Sequence, residues 1–247
     1  MESSKIKNPA AISHLKYFHI MCCLYVGTVL VSITQASRLI PINIPMLNFS
    51  VLITGGTLTI PLAFFIQNIV TEVYGYSKSR HLIQLSLAIV GCCIFYEYLL
   101  TFFPLAEDTI EIQKSYNNVF KSIPRHIIAF ILSAFCGTII NDYLISKSKI
   151  YFHGEYLRLR FIFATAAGEA VYMFFAFLVW IMYLNIEQIF PIIIISYLYR
   201  IAFEGATLPL SYYFTAKLKE FENIDIYDFN INYNPFLFYS TGKEHNE

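Results

Sequence analysis

Charge is scarce in this sequence: Asp, Glu, Lys and Arg together make up 14% of 247 residues, against 57% hydrophobic ones. A soluble domain carries about a quarter charged residues to keep its surface in water, so a water-soluble fold is not expected. The 17 basic and 17 acidic residues cancel, which removes the electrostatic case for a nucleic-acid partner or a polyanionic substrate. Cysteine is sparse as well. Cys22, Cys23, Cys92, Cys93 and Cys136 lie in apolar stretches and form no C-x-x-C pair, so they read as packing residues rather than a disulfide frame or zinc site. The six histidines show no metal-ligand spacing, and no cofactor is expected. No G-x-x-x-x-G-K-[ST], H-E-x-x-H or G-x-S-x-G occurs. Nothing therefore points to a phosphate loop or to a nucleophile with its base, and the chain is not expected to be an enzyme.

Long apolar runs are what the sequence has in abundance. Six stretches, near 17–37, 50–74, 82–103, 126–146, 161–184 and 189–213, meet the roughly 20 residues a helix needs to cross about 30 Å of hydrocarbon. They predict an all-α polytopic membrane protein with six transmembrane helices, built as a segment 1–16, a membrane domain 17–214 and a tail 215–247. The opening MESSKIKNPAAISHLK is polar and basic and precedes a run long enough to span, so a cleavable signal peptide is not expected. Gly55, Gly56 and Pro61 predict a kink or break in the second span.

Basic residues set the expected orientation. Lys5, Lys7 and Lys16 precede the first span, and Lys78 and Arg80 follow the second. Lys147, Lys149, Arg158 and Arg160 follow the fourth, and Lys217, Lys219 and Lys243 follow the sixth. With six spans all of these fall on one side, facing Arg38, Lys114, Lys121 and Arg125 with the acidic Glu107, Asp108 and Glu111 on the other. Both termini are thus expected in the cytoplasm, and the polar tail is expected to be a short, partly disordered extension.

Ionisable groups in hydrocarbon are costly unless paired or hydrated, which makes each a functional candidate. Gln67 with Thr71, and Asn68 with Glu72, stand four apart on one helix face, so the second span carries a polar strip. Glu72 is either part of a site or an interfacial residue meeting water. Glu169 follows Ala164 and Gly168, small residues that admit a neighbouring helix, and is either a packing glutamate or a solute contact. Arg200 and Glu204 are four apart near mid-membrane, either as an intrahelical salt bridge or as cavity groups. Glu97 is expected near the outer interface, and Asn141 and Asp142 near an inner mouth. Carboxylates, amides and one guanidinium, with Phe and Tyr for walls, suit a flat, polar, nitrogen-rich solute.

The segment IPLAFFIQNIVTEVYGYSKSRHLI, with Pro61, Thr71, Glu72, Val73, Tyr74, Gly75 and Tyr76, resembles the signature of the queuosine-precursor transporter family, also described as vitamin-uptake transporters. IPRHIIAFILSAF, with Pro124 and Arg125, is similar to that family's fourth span. LRFIFATAAGEAVYMFFAF, with Arg160, Gly168, Glu169 and Phe175, is similar to its fifth. YLYRIAFEGATLPLSYYFTAKLKEFENIDIYD, with Glu204, Pro209, Lys219, Glu222, Asp225 and Asp228, is similar to its sixth. The resemblance implies bacterial inner-membrane import of 7-deazaguanine bases such as preQ0, preQ1 or queuine for tRNA modification. Its six-helix shape also looks like the substrate-binding membrane subunits of multi-protein vitamin uptake complexes. Such a subunit is the alternative reading, with an energising partner or homo-oligomer left open.

Gln67, Asn68, Glu72, Glu169, Tyr172, Arg200 and Glu204 are the expected substrate-binding residues. Three positions depart from the family pattern: Asn68 and Tyr172 stand where the family has Asp, and Arg200 where it has Lys. Losing two acidic acceptors predicts a shifted ligand preference, towards the salvaged base queuine.

Overall fold

The structure, a computed structural model, describes residues 15–36, 38–44, 49–104, 108, 110–120, 123–182 and 185–237. Lys5, Lys7, Glu107, Lys121 and Lys243, part of the charge asymmetry, lie outside them. The order is α1 (Lys16–Thr34), β1 (Leu39–Ile44), β2 (Phe49–Thr54), α2 (Gly55–Leu100), α3 (Ile110–Phe120), α4 (Ile123–Tyr151), α5 (Leu157–Trp180) and α6 (Ile186–Glu222). Five of these helices are long and apolar enough to cross a membrane.

The longest, α2, has 46 residues, and a straight helix of that length would measure about 70 Å, more than twice the hydrocarbon thickness. It is not straight. Gly75 has φ 82° and ψ 168°, and Thr71 Oγ1 lies 3.0 Å from Ser79 Oγ. Eight residues of unbroken helix would separate those side chains by about 12 Å along the axis. The chain therefore folds back at Gly75 into two arms, 55–74 and 76–100, each long enough to span. With the two arms counted separately, the five long apolar helices supply about six segments of spanning length, in keeping with the six expected from hydropathy.

Gly75 is needed there twice over. Its φ lies in the left-handed region that side chains disfavour, and a Cβ would stand 2.7 Å from Asp228 Oδ1. The break expected around Gly55, Gly56 and Pro61 lies at Gly75 instead. Gly55 and Gly56 open the helix, where Thr54 accepts from Thr57 N–H as N-cap, and Pro61 is carried inside the first arm.

Residues 50–54, expected at the start of the second span, are strand. β1 and β2 pair antiparallel with Leu39 opposite Thr54 and Ile44 opposite Phe49. The run FSVLIT is rich in β-branched and aromatic residues, which favour a strand, and length and hydropathy alone do not separate it from the helix that follows. The short α3 is a further element that hydropathy does not show. At the other end α6 runs on to Glu222, and residues 223–237 lie against the Gly75 end of the bundle. There Arg80 Nη1 donates to the carbonyls of Asn232 and Asn234 and Gln84 Nε2 to that of Pro235. The end of the tail, 238–247, lies outside the described residues.

Polarity is distributed as a bilayer requires. Leu24, Phe95, Phe163, Phe174 and Leu198 are exposed on the outside, while Gln67, Asn68, Glu72, Asn141, Asp142, Glu169 and Arg200 are buried inside. Cys23, Cys92 and Cys93 belong to the exposed apolar face, and all five cysteines are free.

Candidate functional site

The buried polar groups form three layers between the β-hairpin end and the Gly75 end. Nearest the hairpin, Arg200 Nη1 on α6 pairs with Glu169 Oε2 on α5 at 2.5 Å, and the guanidinium sits 4.5 Å from the centre of the Tyr172 ring. Glycines allow α5 to reach this position. A Cβ on Gly168 would stand 2.7 Å from Asn141 Cβ, and one on Gly137 would stand 2.7 Å from the Gly168 carbonyl, so α4 and α5 cross with their backbones nearly touching. The intrahelical Arg200–Glu204 pair that the spacing allowed does not form. Arg200 turns to α5, and Glu204 Oε1 accepts from Asn68 Nδ2 on α2 at 3.1 Å.

Two atoms of this layer are left over. Glu169 Oε1 and Arg200 Nε are buried with no hydrogen-bond partner among the described residues. A buried acceptor or donor without a partner is costly and rare in a native structure. Arg200 and Tyr172 border a cavity of about 90 Å³ that reaches towards the hairpin end past Ser32, Thr57, Phe130 and Trp180. Glu169, Glu204 and Arg200 together carry a formal charge of minus one.

The middle layer joins α2 to α4. Asn68 Nδ2 also reaches Thr165 Oγ1 at 3.0 Å, and Asn68 Oδ1 accepts from Asn141 Nδ2 at 2.7 Å. Gln67 Nε2 donates to Asp142 Oδ1 at 2.8 Å, and the Tyr25 hydroxyl lies 3.3 Å from Gln67 Oε1. Thr71 and Ser79, from the two arms of α2, meet Asp142 Oδ1 and Oδ2 at 2.8 and 2.6 Å. Consecutive residues 67–68 thus interlock with consecutive residues 141–142. Asn rather than Asp at position 68 lets that side chain donate to Glu204, where a second carboxylate would repel it.

Glu72, one turn further along the same face, forms a separate cluster. Arg160 binds its carboxylate in two places, Nη1 to Oε2 at 2.7 Å and Nη2 to Oε1 at 3.1 Å. Lys219 Nζ adds a contact at 2.9 Å, and Lys149 Nζ stands 3.8 Å away. Lys149 in turn donates to the Glu72 and Ile226 carbonyls and to Asp225 Oδ1. A fully buried carboxylate is here held by α4, α5 and α6 at once, and Asp225 completes the cluster. Burial raises the Asp225 carboxyl, but Lys149 and Lys219 outweigh it and hold it below its ordinary value.

Asp228 seals the same end. Its Oδ2 accepts from Tyr76 N–H at 2.9 Å and from Ser146 Oγ at 2.6 Å. Burial pushes this carboxyl up, against the lowering effect of those bonds and of Lys149.

The structure brings Glu169, Tyr172, Arg200, Glu204 and Asn68 together in consecutive contacts, with Gln67 in the adjoining network and Glu72 in a separate basic cluster. Glu97 lies away from all three layers, bonded to the Tyr116 hydroxyl. The sequence places Asn141 and Asp142 near an inner mouth but gives no sign that Asp142 is the hub of the middle layer. Lys149 is legible there only as an orienting charge. The one sequence signal for the cluster was the register of Arg160, Lys219, Asp225 and Asp228 with the family segments.

A helical membrane bundle whose lipid face is apolar, and whose centre holds charged and amide side chains beside a cavity, has the build of a polytopic solute carrier. The chain belongs to the family described as "Putative vitamin uptake transporter", whose pattern matches residues 54–214. The match runs from the start of α2 through most of α6 and omits α1 and the segment 223–237. No similar protein was found among curated proteins or among solved structures.

Proposed function

We propose that this chain imports a 7-deazaguanine base, a precursor of the tRNA nucleoside queuosine, across the bacterial inner membrane. The supporting observation is the unpartnered pair beside the cavity. Glu169 Oε1 is a buried acceptor and Arg200 Nε a buried donor, complementary to the N–H and C=O edge of a guanine-like ring. The Tyr172 ring offers a stacking face beside them. Gln67, Asn68 and Glu204 complete the site through the α2–α4 network, and Glu72 acts as the closed inner latch of the same pathway. Helix rocking about this mid-membrane site provides alternating access. Lys78, Arg80, Lys147, Lys149, Arg158, Arg160, Lys217 and Lys219 gather at the Gly75 end. By the positive-inside tendency that end and both termini face the cytoplasm. The formal charge of minus one around Arg200 favours amine-bearing bases such as queuine or preQ1 over the nitrile preQ0.

The test is complementation. The chain is expressed in cells that neither make nor take up the precursor, candidate bases are fed, and queuosine in tRNA is measured. Restoration by queuine or preQ1 is expected, and preQ0 should compete poorly. No restoration by any base would overturn the substrate assignment, and a nitrile base that outcompetes queuine would overturn the preference. If Glu169→Gln and Glu204→Gln both leave uptake unchanged, these residues do not form the site. Uptake by purified protein in liposomes without partners would exclude the subunit alternative.

A further inference from the structure

We propose that Asp142 is a proton-binding site, and that its protonation couples solute movement to a proton gradient. This rests on the transporter reading above but not on the identity of the solute.

Two of the buried acids at these layers are accounted for by ion pairs. Glu72 is held by Arg160 and Lys219, and Glu169 by Arg200. Glu204 accepts from the Asn68 amide, one turn from Arg200 on α6. Asp142 is fully buried and forms no ion pair among the described residues. Its surroundings on every side are neutral: Gln67, Thr71 and Ser79 from α2, Asn141 from α4, and the phenols of Tyr25 on α1 and Tyr76 on α2. The nearest charged groups look elsewhere, Asp228 towards Ser146 and Tyr76 N–H and Glu72 towards Arg160.

Counting hydrogens shows what this site lacks. Four oxygen–oxygen contacts meet here. Thr71 Oγ1 approaches the Gln67 carbonyl at 2.9 Å, Ser79 Oγ at 3.0 Å and Asp142 Oδ1 at 2.8 Å, and Ser79 Oγ approaches Asp142 Oδ2 at 2.6 Å. A carbonyl and an ionised carboxylate only accept, and each hydroxyl has one hydrogen to give. With Asp142 ionised, two hydrogens serve four contacts, and two pairs of oxygens face each other bare. With Asp142 protonated, three of the four are bonded: the acid donates to Thr71, Thr71 to the Gln67 carbonyl and Ser79 to Asp142 Oδ2. The geometry accommodates one added proton on Asp142 without moving a heavy atom.

The same residue is linked to Glu204 on α6. Asn141 beside it donates to Asn68, and Asn68 donates to Glu204. With the proton lost, Thr71 and Ser79 both donate to the Asp142 carboxylate, and with it bound the acid donates to Thr71 instead, so the proton resets the bonds that join the two arms of α2 to α4, which are the elements that must part for access from the Gly75 end. The step is a reversible proton transfer, carboxylate plus proton to carboxylic acid, with no other reactant.

Infrared spectra of the purified full chain in lipid test this directly. A buried carboxylic-acid C=O stretch near neutral pH is expected in the wild type and absent from Asp142→Asn. In Ser79→Ala, which removes one of the two hydroxyl hydrogens, the band should persist to higher pH, a shift that a purely structural role would not produce. In liposomes, a labelled 7-deazaguanine base should accumulate under an inside-alkaline gradient. Asp142→Asn should lower that accumulation relative to solute exchange by about tenfold or more. An acid band unchanged in Asp142→Asn, or accumulation that follows a sodium gradient and ignores pH, overturns the proposal. If no such base moves in the wild type, the solute assignment fails, while the infrared band still decides whether Asp142 holds the proton.

Discussion

Glu72 illustrates how much a single side chain's partners matter. As part of T-E-V-Y-G-Y it looked like either a ligand contact or a water-exposed end of a span. In the bundle it is the most heavily paired carboxylate, with Arg160 bidentate and Lys219 beside it. Removing one partner of a buried ion pair leaves the others uncompensated and costs about 3–5 kcal/mol. Glu72→Gln is therefore expected to lower the thermal stability of the detergent-solubilised protein, while Lys219→Gln, whose amine is partly exposed, should cost less. Equal melting temperatures for Glu72→Gln and wild type would contradict the latch. Arg200 makes the complementary point: spacing offered it Glu204 at i+4, but helix packing gave it Glu169. Arg200→Lys should keep a charge near Glu169, lose the guanidinium stacking on Tyr172 and weaken solute binding, read as a raised KM for uptake.

At the scale of elements, the reversal inside α2 depends on one glycine. Gly75→Ala puts a Cβ into the left-handed region, at about 1–3 kcal/mol, and against Asp228 Oδ1. The substitution should loosen the segment 223–237 before it unfolds the bundle, and limited proteolysis of that segment would show it. That segment also carries the clearest pH dependence. The folded Asp225 carboxyl lies below its ordinary value of 3.8. Its contribution to docking is therefore full above that pH and is lost as pH falls through the lowered value. The folded Asp228 carboxyl lies above 3.8. Its contribution is full below that pH and is lost as pH rises through the raised value. Protection from proteolysis should thus be greatest in mild acid and decline towards higher pH, and Asp228→Asn should flatten the decline. A profile unchanged by Asp228→Asn would show that its burial does not govern docking.

For the whole molecule, hydropathy determined a polytopic helical bundle of about six spanning segments, because a bilayer accepts only segments of a certain length and polarity. Its motifs determined the family, and the residues Glu169, Arg200 and Asn68 were legible as buried polar groups, since such groups are too costly in hydrocarbon to be incidental. Their partners were not legible. The strand pair before Gly55 was hidden because an apolar, β-branched run reads alike in strand and span. The tail's close fit was hidden because polar composition does not reveal that Arg80, Gln84, Tyr76 and Ser146 wait to receive it. The Arg200–Glu169 pair, the latch on Glu72 and the hub at Asp142 each join residues more than 30 positions apart in the sequence. Only the tertiary structure decided them, because each depends on which faces of α2, α4, α5 and α6 meet, and that is set by close packing at Gly137 and Gly168 and by the fold-back at Gly75.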